Sequence, residues 1–287
     1  MSNVERALKK LRESMAAQPG AKKEPIARVD TPAAGQGRSR PAPHKSIVFD
    51  RDALTEAGLL SPTNRALAEQ YREVKQPLLR NASQDENRAA RANLVMVTSA
   101  LADEGKTFTC VNLSLSLAME KDWEVLLLDC DCKNPQLSHL LGVQKEPGLL
   151  DLLKDPTLRL ESLILSTNVE GLSMLPLGGG DANAAELLAS DRMREVCEEL
   201  ATATPGRLAV FDSSPLLLTT ESTILGHHVG QIVVVVQAGK TPQMAVKEAV
   251  GKLDAIKPIG LVLNRVSPRA KAASYGGYGL YGHSADG

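Results

Sequence analysis

Three short stretches carry residue types that could act together on a phosphate. The first is Ser99-Ala100-Leu101-Ala102-Asp103-Glu104-Gly105-Lys106-Thr107, which follows the apolar run Leu94-Val95-Met96-Val97 and precedes apolar residues at helical spacing as far as Met119. A loop in that setting offers backbone N–H groups and the positive end of a helix dipole to phosphate. A Lys reaches the terminal phosphates, and a Ser or Thr hydroxyl meets Mg²⁺. Gly105-Lys106-Thr107 matches the end of the phosphate-loop pattern, but Ala100 stands at its first glycine, so the strand–loop–helix context carries the reading. In the second stretch Val125-Leu126-Leu127-Leu128 ends in Asp129-Cys130-Asp131-Cys132-Lys133-Asn134-Pro135; in the third Leu208-Ala209-Val210-Phe211 ends in Asp212-Ser213-Ser214-Pro215. A carboxylate directly after an apolar strand can orient Mg²⁺ itself or through water, and another can take a proton from an attacking hydroxyl. One such Asp is often only a turn cap. Three strand ends converging on one edge point to nucleotide binding.

The elements that must hold these residues follow from hydrophobic periodicity. Strands are predicted at 94–98, 124–129, 172–177, 207–211, 231–236 and 259–263, with the clearest helices at 107–121, 191–203 and 243–255. Continuous apolar strands alternating with amphipathic helices imply a mostly parallel sheet covered on both faces, an α/β fold of the P-loop NTPase type. In such sheets ligands lie beyond the carboxyl ends of the strands. The main folded unit is expected at 47–265, its first part, 47–90, being helical.

Before it, Met1, Val4, Leu8, Leu11 and Met15 share one face of an expected amphipathic helix at 2–17. Residues 18–46, rich in Pro, Gly, Ala, Lys and Arg, are expected to be a disordered linker, so that the chain begins with a flexible arm. Residues 1–50 hold ten Lys and Arg against five Asp and Glu, although the whole chain of 287 residues has a net charge of only −1. A basic arm of this kind can meet acidic membrane or nucleic acid, but it reads here as a solvated tail, with no nucleic-acid partner. Aromatic residues make up 3% of the chain, so Leu, Val and Ala must build the core. The longest apolar runs are too short to span a bilayer, no signal-peptide pattern opens the sequence, and four Cys without metal-type spacing suit a reducing cytoplasm.

With these motifs in place, 92–265 resembles the bacterial tyrosine kinases, P-loop autokinases of polysaccharide export. Their phosphate loop reads Ser-Ala-x-Pro-Gly-Glu-Gly-Lys-Ser/Thr, their second motif Asp-x-Asp-x-Arg and their third Asp-x-Pro-Pro. The chain agrees at Ser99, Ala100, Glu104, Gly105, Lys106 and Thr107, then at Asp129, Asp131 and Asp212. Including the arm and 51–79, it is most similar to the exosortase-associated tyrosine autokinases. It departs at Ala102-Asp103 in place of Pro-Gly, at Lys133 in place of Arg, and at Ser213-Ser214. The related partitioning and cell-division ATPases carry a second Lys early in the loop, where this chain has Leu101.

The resemblance implies ATP and Mg²⁺ as cofactors. Ala102, Asp103, Glu104, Gly105, Lys106, Thr107 and Phe108 would hold the nucleotide, Asn264 would read adenine, and Thr107, Asp129 and Asp212 would serve the metal. Lys106, Asp129 and Asp131 would be catalytic, the last two sharing metal support and deprotonation of tyrosine. It also implies an interface between subunits of a homo-oligomer at Glu69, Arg72 and Lys75. The activator would be a separate membrane-embedded polysaccharide co-polymerase, holding the protein peripherally at the inner face of the plasma membrane. Three of the four Tyr lie in the last thirteen residues, at Tyr275, Tyr278 and Tyr281 among glycines. Residues 266–287 therefore read as a flexible tail and, by the same resemblance, as the autophosphorylated segment. An ATP-binding assembly switch without phosphotransfer and a partitioning-type ATPase are the alternatives.

Overall fold

The computed structural model describes residues 27–30, 46–59, 65–83, 91–202 and 206–266. Nine strands form one sheet: β1 (Ala27–Asp30), β2 (Ser46–Phe49), β3 (Leu94–Ser99), β4 (Glu124–Cys130), β5 (Leu165–Thr167), β6 (Leu172–Leu175), β7 (Arg207–Ser213), β8 (Gln231–Gln237) and β9 (Ile259–Asn264). Their spatial order is β1-β2-β5-β6-β4-β7-β3-β8-β9. The centre is wholly parallel; antiparallel pairing is confined to β1 with β2 and β5 with β6.

Alternation along the central strands distributes their side chains to two cores. Val95, Val97, Val125, Leu127, Leu208, Val210, Val233 and Val235 join one cluster, beneath helices Arg65–Ala82 and Lys106–Leu117. Leu94, Met96, Leu126, Leu128, Ala209, Phe211, Ile232 and Val234 join the other, against Asp191–Thr202, Glu221–His228 and Gln243–Gly251. A strand buried on both faces has no polar face, which is why these segments read as unbroken apolar runs.

The N-terminal part differs from the sequence expectation. Ala27–Asp30 is a strand inside the stretch expected to be linker, and Ser46–Phe49 is a strand where a helix was expected. The cause is a short alternation: Ile47 and Phe49 are buried, with Ser46 and Val48 half-buried between them. Four residues in a Pro- and Ala-rich setting are too few to register as a period. Here β2 extends the sheet beside β5 and β1 pairs onto it. β5 was missed for the same reason, having three residues. The helix expected at 107–121 stops at Leu117, and the one at 243–255 stops at Gly251. The amphipathic segment 2–17, most of 18–46, and 267–287 with Tyr275, Tyr278 and Tyr281 lie outside the described residues. No helix among the described residues is long and apolar enough to cross a membrane.

Candidate functional site

The loop from β3 turns into helix Lys106–Leu117 through Gly105, whose φ is 94° and whose place at the N-cap carries no side-chain cap. A Cβ there would lie 2.1 Å from Asn264 Nδ2, so the left-handed turn and the close approach both demand glycine. The first helical hydrogen bond runs from Thr109 N–H to the Gly105 carbonyl. The N–H groups of the preceding residues are therefore the unpaired donors of a helix start, aimed where an anion is favoured.

Side chains of the loop make its scaffold. Glu104 is buried, and its carboxylate accepts from Leu101 N–H at 2.7 Å and from the Thr241 hydroxyl. The Glu104 carbonyl accepts from Asn264 Nδ2 at 2.9 Å, while Asn264 Oδ1 accepts from Arg265 N–H at 2.8 Å. Asn264 thus braces the loop with one amide hydrogen and one lone pair, and the half-buried amide keeps a second donor and a second acceptor site. Ala102 and Asp103 are exposed, Asp103 with φ 61°. Phe108 packs its ring against the core below.

Strand register brings the acids together. Asp129 on β4 is the direct neighbour of Asp212 on β7, which is opposite Val97 on β3, two residues before the loop. Asp129 accepts from the Ser138 backbone N–H at 2.8 Å, from the Ser138 hydroxyl at 2.6 Å and from Asp131 N–H at 3.2 Å. Burial pushes its carboxyl up to about 6 even though these donors stabilise the charged form. Asp131 Oδ2 lies 3.7 Å from Lys106 Nζ. Asp212 is fully buried, and neither carboxylate oxygen has a hydrogen-bond partner among the described residues. Burial and the charge of Asp129 push its pKa well above the usual carboxylate range; the Thr107 hydroxyl and the Lys106 ammonium offset only part of this.

An orphaned carboxylate in the interior is costly, and a hard cation is the partner its oxygens suit. Mg²⁺ prefers one or two protein oxygens, taking the rest from phosphate and water, so Thr107 with Asp212 fits it. Asp129 is the poorer ligand because both its oxygens are already engaged. Lys106, Asp129, Asp131, Asp212 and Thr107 are the sequence-predicted residues that the fold gathers at the helix mouth.

Others are not gathered there or are differently used. Glu69 and Arg72 pair on the surface at 2.8 Å, but Lys75 is 5% exposed and turns inward. Its ammonium donates to the Ser116 carbonyl at 2.7 Å and meets Glu120 at 2.8 Å. Residues three apart precess about 60° around a helix, so the third member rotates off the Glu69–Arg72 face onto the buried stripe of Tyr71, Leu78 and Ala82. Lys75 is therefore corrected from surface contact to an internal tie. Cys130 is buried and Cys132 half-buried; burial pushes both thiols up, Cys132 to about 12, as befits packing residues. Two residues near the acids escaped sequence reasoning. Ser138 had no visible signal, nine residues from Asp129, whereas Ser214 was marked only as a departure from the third motif.

Residues 95–275 match the CobQ/CobB/MinD/ParA nucleotide binding domain. The chain is 30% identical over 194 residues to tyrosine-protein kinase wzc of Salmonella typhi, covering 67% of this chain and 26% of that protein. It is 30% identical over 190 residues to tyrosine-protein kinase YwqD of Bacillus subtilis, covering 66% and 77%. The solved kinase domain of VpsO aligns with a TM-score of 0.60 and 32% identity over 71% of this chain and 96% of that one. The chain spans about a quarter of the length of the first curated relatives it matches.

Proposed function

The chain belongs to the CobQ/CobB/MinD/ParA nucleotide-binding domains and, within them, to the bacterial tyrosine kinases; from that premise we propose that it is an ATP-dependent kinase of its own tail, at Tyr275, Tyr278 and Tyr281. The observation that carries this reading is the meeting at one helix mouth of Lys106, Asp131 and Asp212, the last without a hydrogen-bond partner among the described residues.

The N-terminal N–H groups of helix Lys106–Leu117 and the Lys106 ammonium bind and orient the phosphates. Thr107 and Asp212 would hold Mg²⁺, which when bound spreads the charge developing on the transferred phosphoryl group. A tail phenol oxygen forms a bond to the γ-phosphorus as the bond to the ADP oxygen breaks, and the phenolic proton passes to Asp131 or Asp129. Asp131 is the better placed of the two, because Oδ2 faces Lys106 while Asp129 is held by Ser138. From Arg265 to Tyr275 is ten residues, on the order of 35 Å when extended, enough to enter its own site or a neighbour's. Each phosphotyrosine adds close to two negative charges, so repeated transfer would loosen the tail from an acidic site.

The relatives are named tyrosine-protein kinases, and a role in exopolysaccharide or capsule export is part of the same proposal, resting on the family resemblance. The wider reading is a homo-oligomer at the inner membrane face, switched on by the cytoplasmic part of a membrane co-polymerase. An assembly switch that binds ATP without transfer is favoured by one feature, the exposed anionic Asp103 in the phosphate loop. Replacing Tyr275, Tyr278 and Tyr281 together by Phe separates the readings. The kinase reading expects nucleotide binding to persist and most labelling from ATP to vanish; unchanged labelling would place the acceptor elsewhere.

A further inference from the structure

The third motif of this chain ends Asp212-Ser213-Ser214-Pro215, and Ser214 supplies a hydroxyl at a place where the pattern of its relatives has an imino acid with nothing to donate. That hydroxyl donates to Asp131 Oδ1 at 2.8 Å, and both residues are buried, at 0% and 4% exposure. The backbone around Ser214 is fixed independently. Its carbonyl accepts from the Thr98 hydroxyl at 2.8 Å, the Ser213 hydroxyl donates to the Val97 carbonyl at 3.1 Å, and Leu216 N–H donates to the Ser99 carbonyl at 2.8 Å. The Ser214 hydroxyl is therefore held in place by β3 and aimed across β7 at the loop that follows β4.

Asp131 Oδ1 also accepts from Asn134 N–H at 3.1 Å. With two donors on Oδ1, the other oxygen is the one left facing Lys106, at 3.7 Å. The terminal torsion of an Asp side chain is soft, so with a single donor the carboxylate plane would swing more widely and its free oxygen would be held less firmly toward Lys106. We propose that Ser214 is a positioning residue that holds the plane of the Asp131 carboxylate so that its free oxygen stays turned toward Lys106 and the reacting groups. Through it the strand-end motif of β7 orients the motif of β4, a link the sequence shows only as a departure. This proposal rests on the kinase reading for what the oriented oxygen does, but the contact itself stands without it.

The test uses the full chain and the variants Ser214→Ala, Ser214→Thr, Asp131→Ala and the double variant Ser214→Ala/Asp131→Ala. Binding of a fluorescent ADP analogue with Mg²⁺ and steady-state tyrosine phosphorylation are measured side by side. Loss of one hydrogen bond to a charged group predicts that Ser214→Ala lowers kcat about tenfold. Nucleotide affinity and the KM for ATP stay within about twofold, because the hydroxyl touches neither. Ser214→Thr, which keeps the hydroxyl, restores kcat. Unchanged kcat in Ser214→Ala, or a loss that Thr does not rescue, overturns the positioning role. Unfolding midpoints of nucleotide-free wild type, Ser214→Ala, Asp131→Ala and the double variant form a double-mutant cycle: non-additive shifts support the contact and additive shifts overturn it. If the wild type transfers no phosphate to tyrosine, it is the kinase reading that fails. The same kcat comparison is then made on ATP hydrolysis, where a loss rescued by Thr supports the positioning role and any other pattern overturns it.

Discussion

At the residue scale the site is a set of conflicts that a ligand would relieve. Asp212 is the sharpest, a buried carboxylate whose oxygens have no hydrogen-bond partner among the described residues, with only the nearby Thr107 hydroxyl and Lys106 ammonium to ease its charge. Asp212→Asn should therefore raise the unfolding midpoint of the nucleotide-free protein by a few degrees, while weakening Mg²⁺–ADP binding on the order of tenfold. Opposite signs in calorimetry and in nucleotide titration are the mark of strain kept for function; a loss in both would reduce Asp212 to a packing residue. Asp129 gives a pH test. Its folded carboxyl titrates near 6 against 3.8 when unperturbed, so the native state holds the extra proton between those values. Stability must then fall as pH rises through that window. The difference in midpoint between wild type and Asp129→Asn should change across it, and a flat difference from pH 4 to 7 would contradict the burial argument. Asp103 sits at φ 61°, a left-handed conformation that costs a side chain about 1 kcal/mol relative to Gly. Asp103→Gly should stabilise the protein and tighten nucleotide binding by removing an anion from the loop.

At the scale of elements, one helix start and three strand ends do the positioning, and most of that was legible. Apolar runs marked β3, β4 and β7, and the acids directly after them had to lie on one edge once the sheet was parallel. What was not legible depends on distance across the fold. The link from Ser138 to Asp129 is made by the path of the loop after β4, and the inward turn of Lys75 by the phase of its helix against Ser116. The motif spacing placed Glu69, Arg72 and Lys75 together; the burial stripe through Tyr71 and Leu78 took Lys75 away. Its ammonium caps the carbonyl end of the phosphate-loop helix, where a cation is favoured. Lys75→Met should cost about 1–3 kcal/mol in chemical denaturation and leave the oligomeric state to Glu69 and Arg72. A change in assembly without loss of stability would restore the surface role.

At the scale of the whole molecule, a sheet buried on both faces leaves its carboxyl edge as the place for chemistry, and the chain leaves β9 from that same edge. Asn264 braces the phosphate loop and Arg265 follows it at φ 58°, so the last described residues lie beside the proposed site. The short strands β1, β2 and β5, which form one side of the sheet, were hidden from the sequence because short alternations carry no period, and none of them pairs with β4 or β7, which bear the acids. The central claim is that Lys106 and its three carboxylates move phosphate from ATP to that terminal segment. The measurement that bears on it most directly is the intact mass and phosphopeptide map of the purified chain after incubation with ATP and Mg²⁺, beside Lys106→Met. Added phosphate should be confined to Tyr275, Tyr278 and Tyr281 in the wild type and be absent from a folded Lys106→Met. Equal phosphate in both proteins, or none in the wild type even with the cytoplasmic fragment of its membrane partner present, would contradict it.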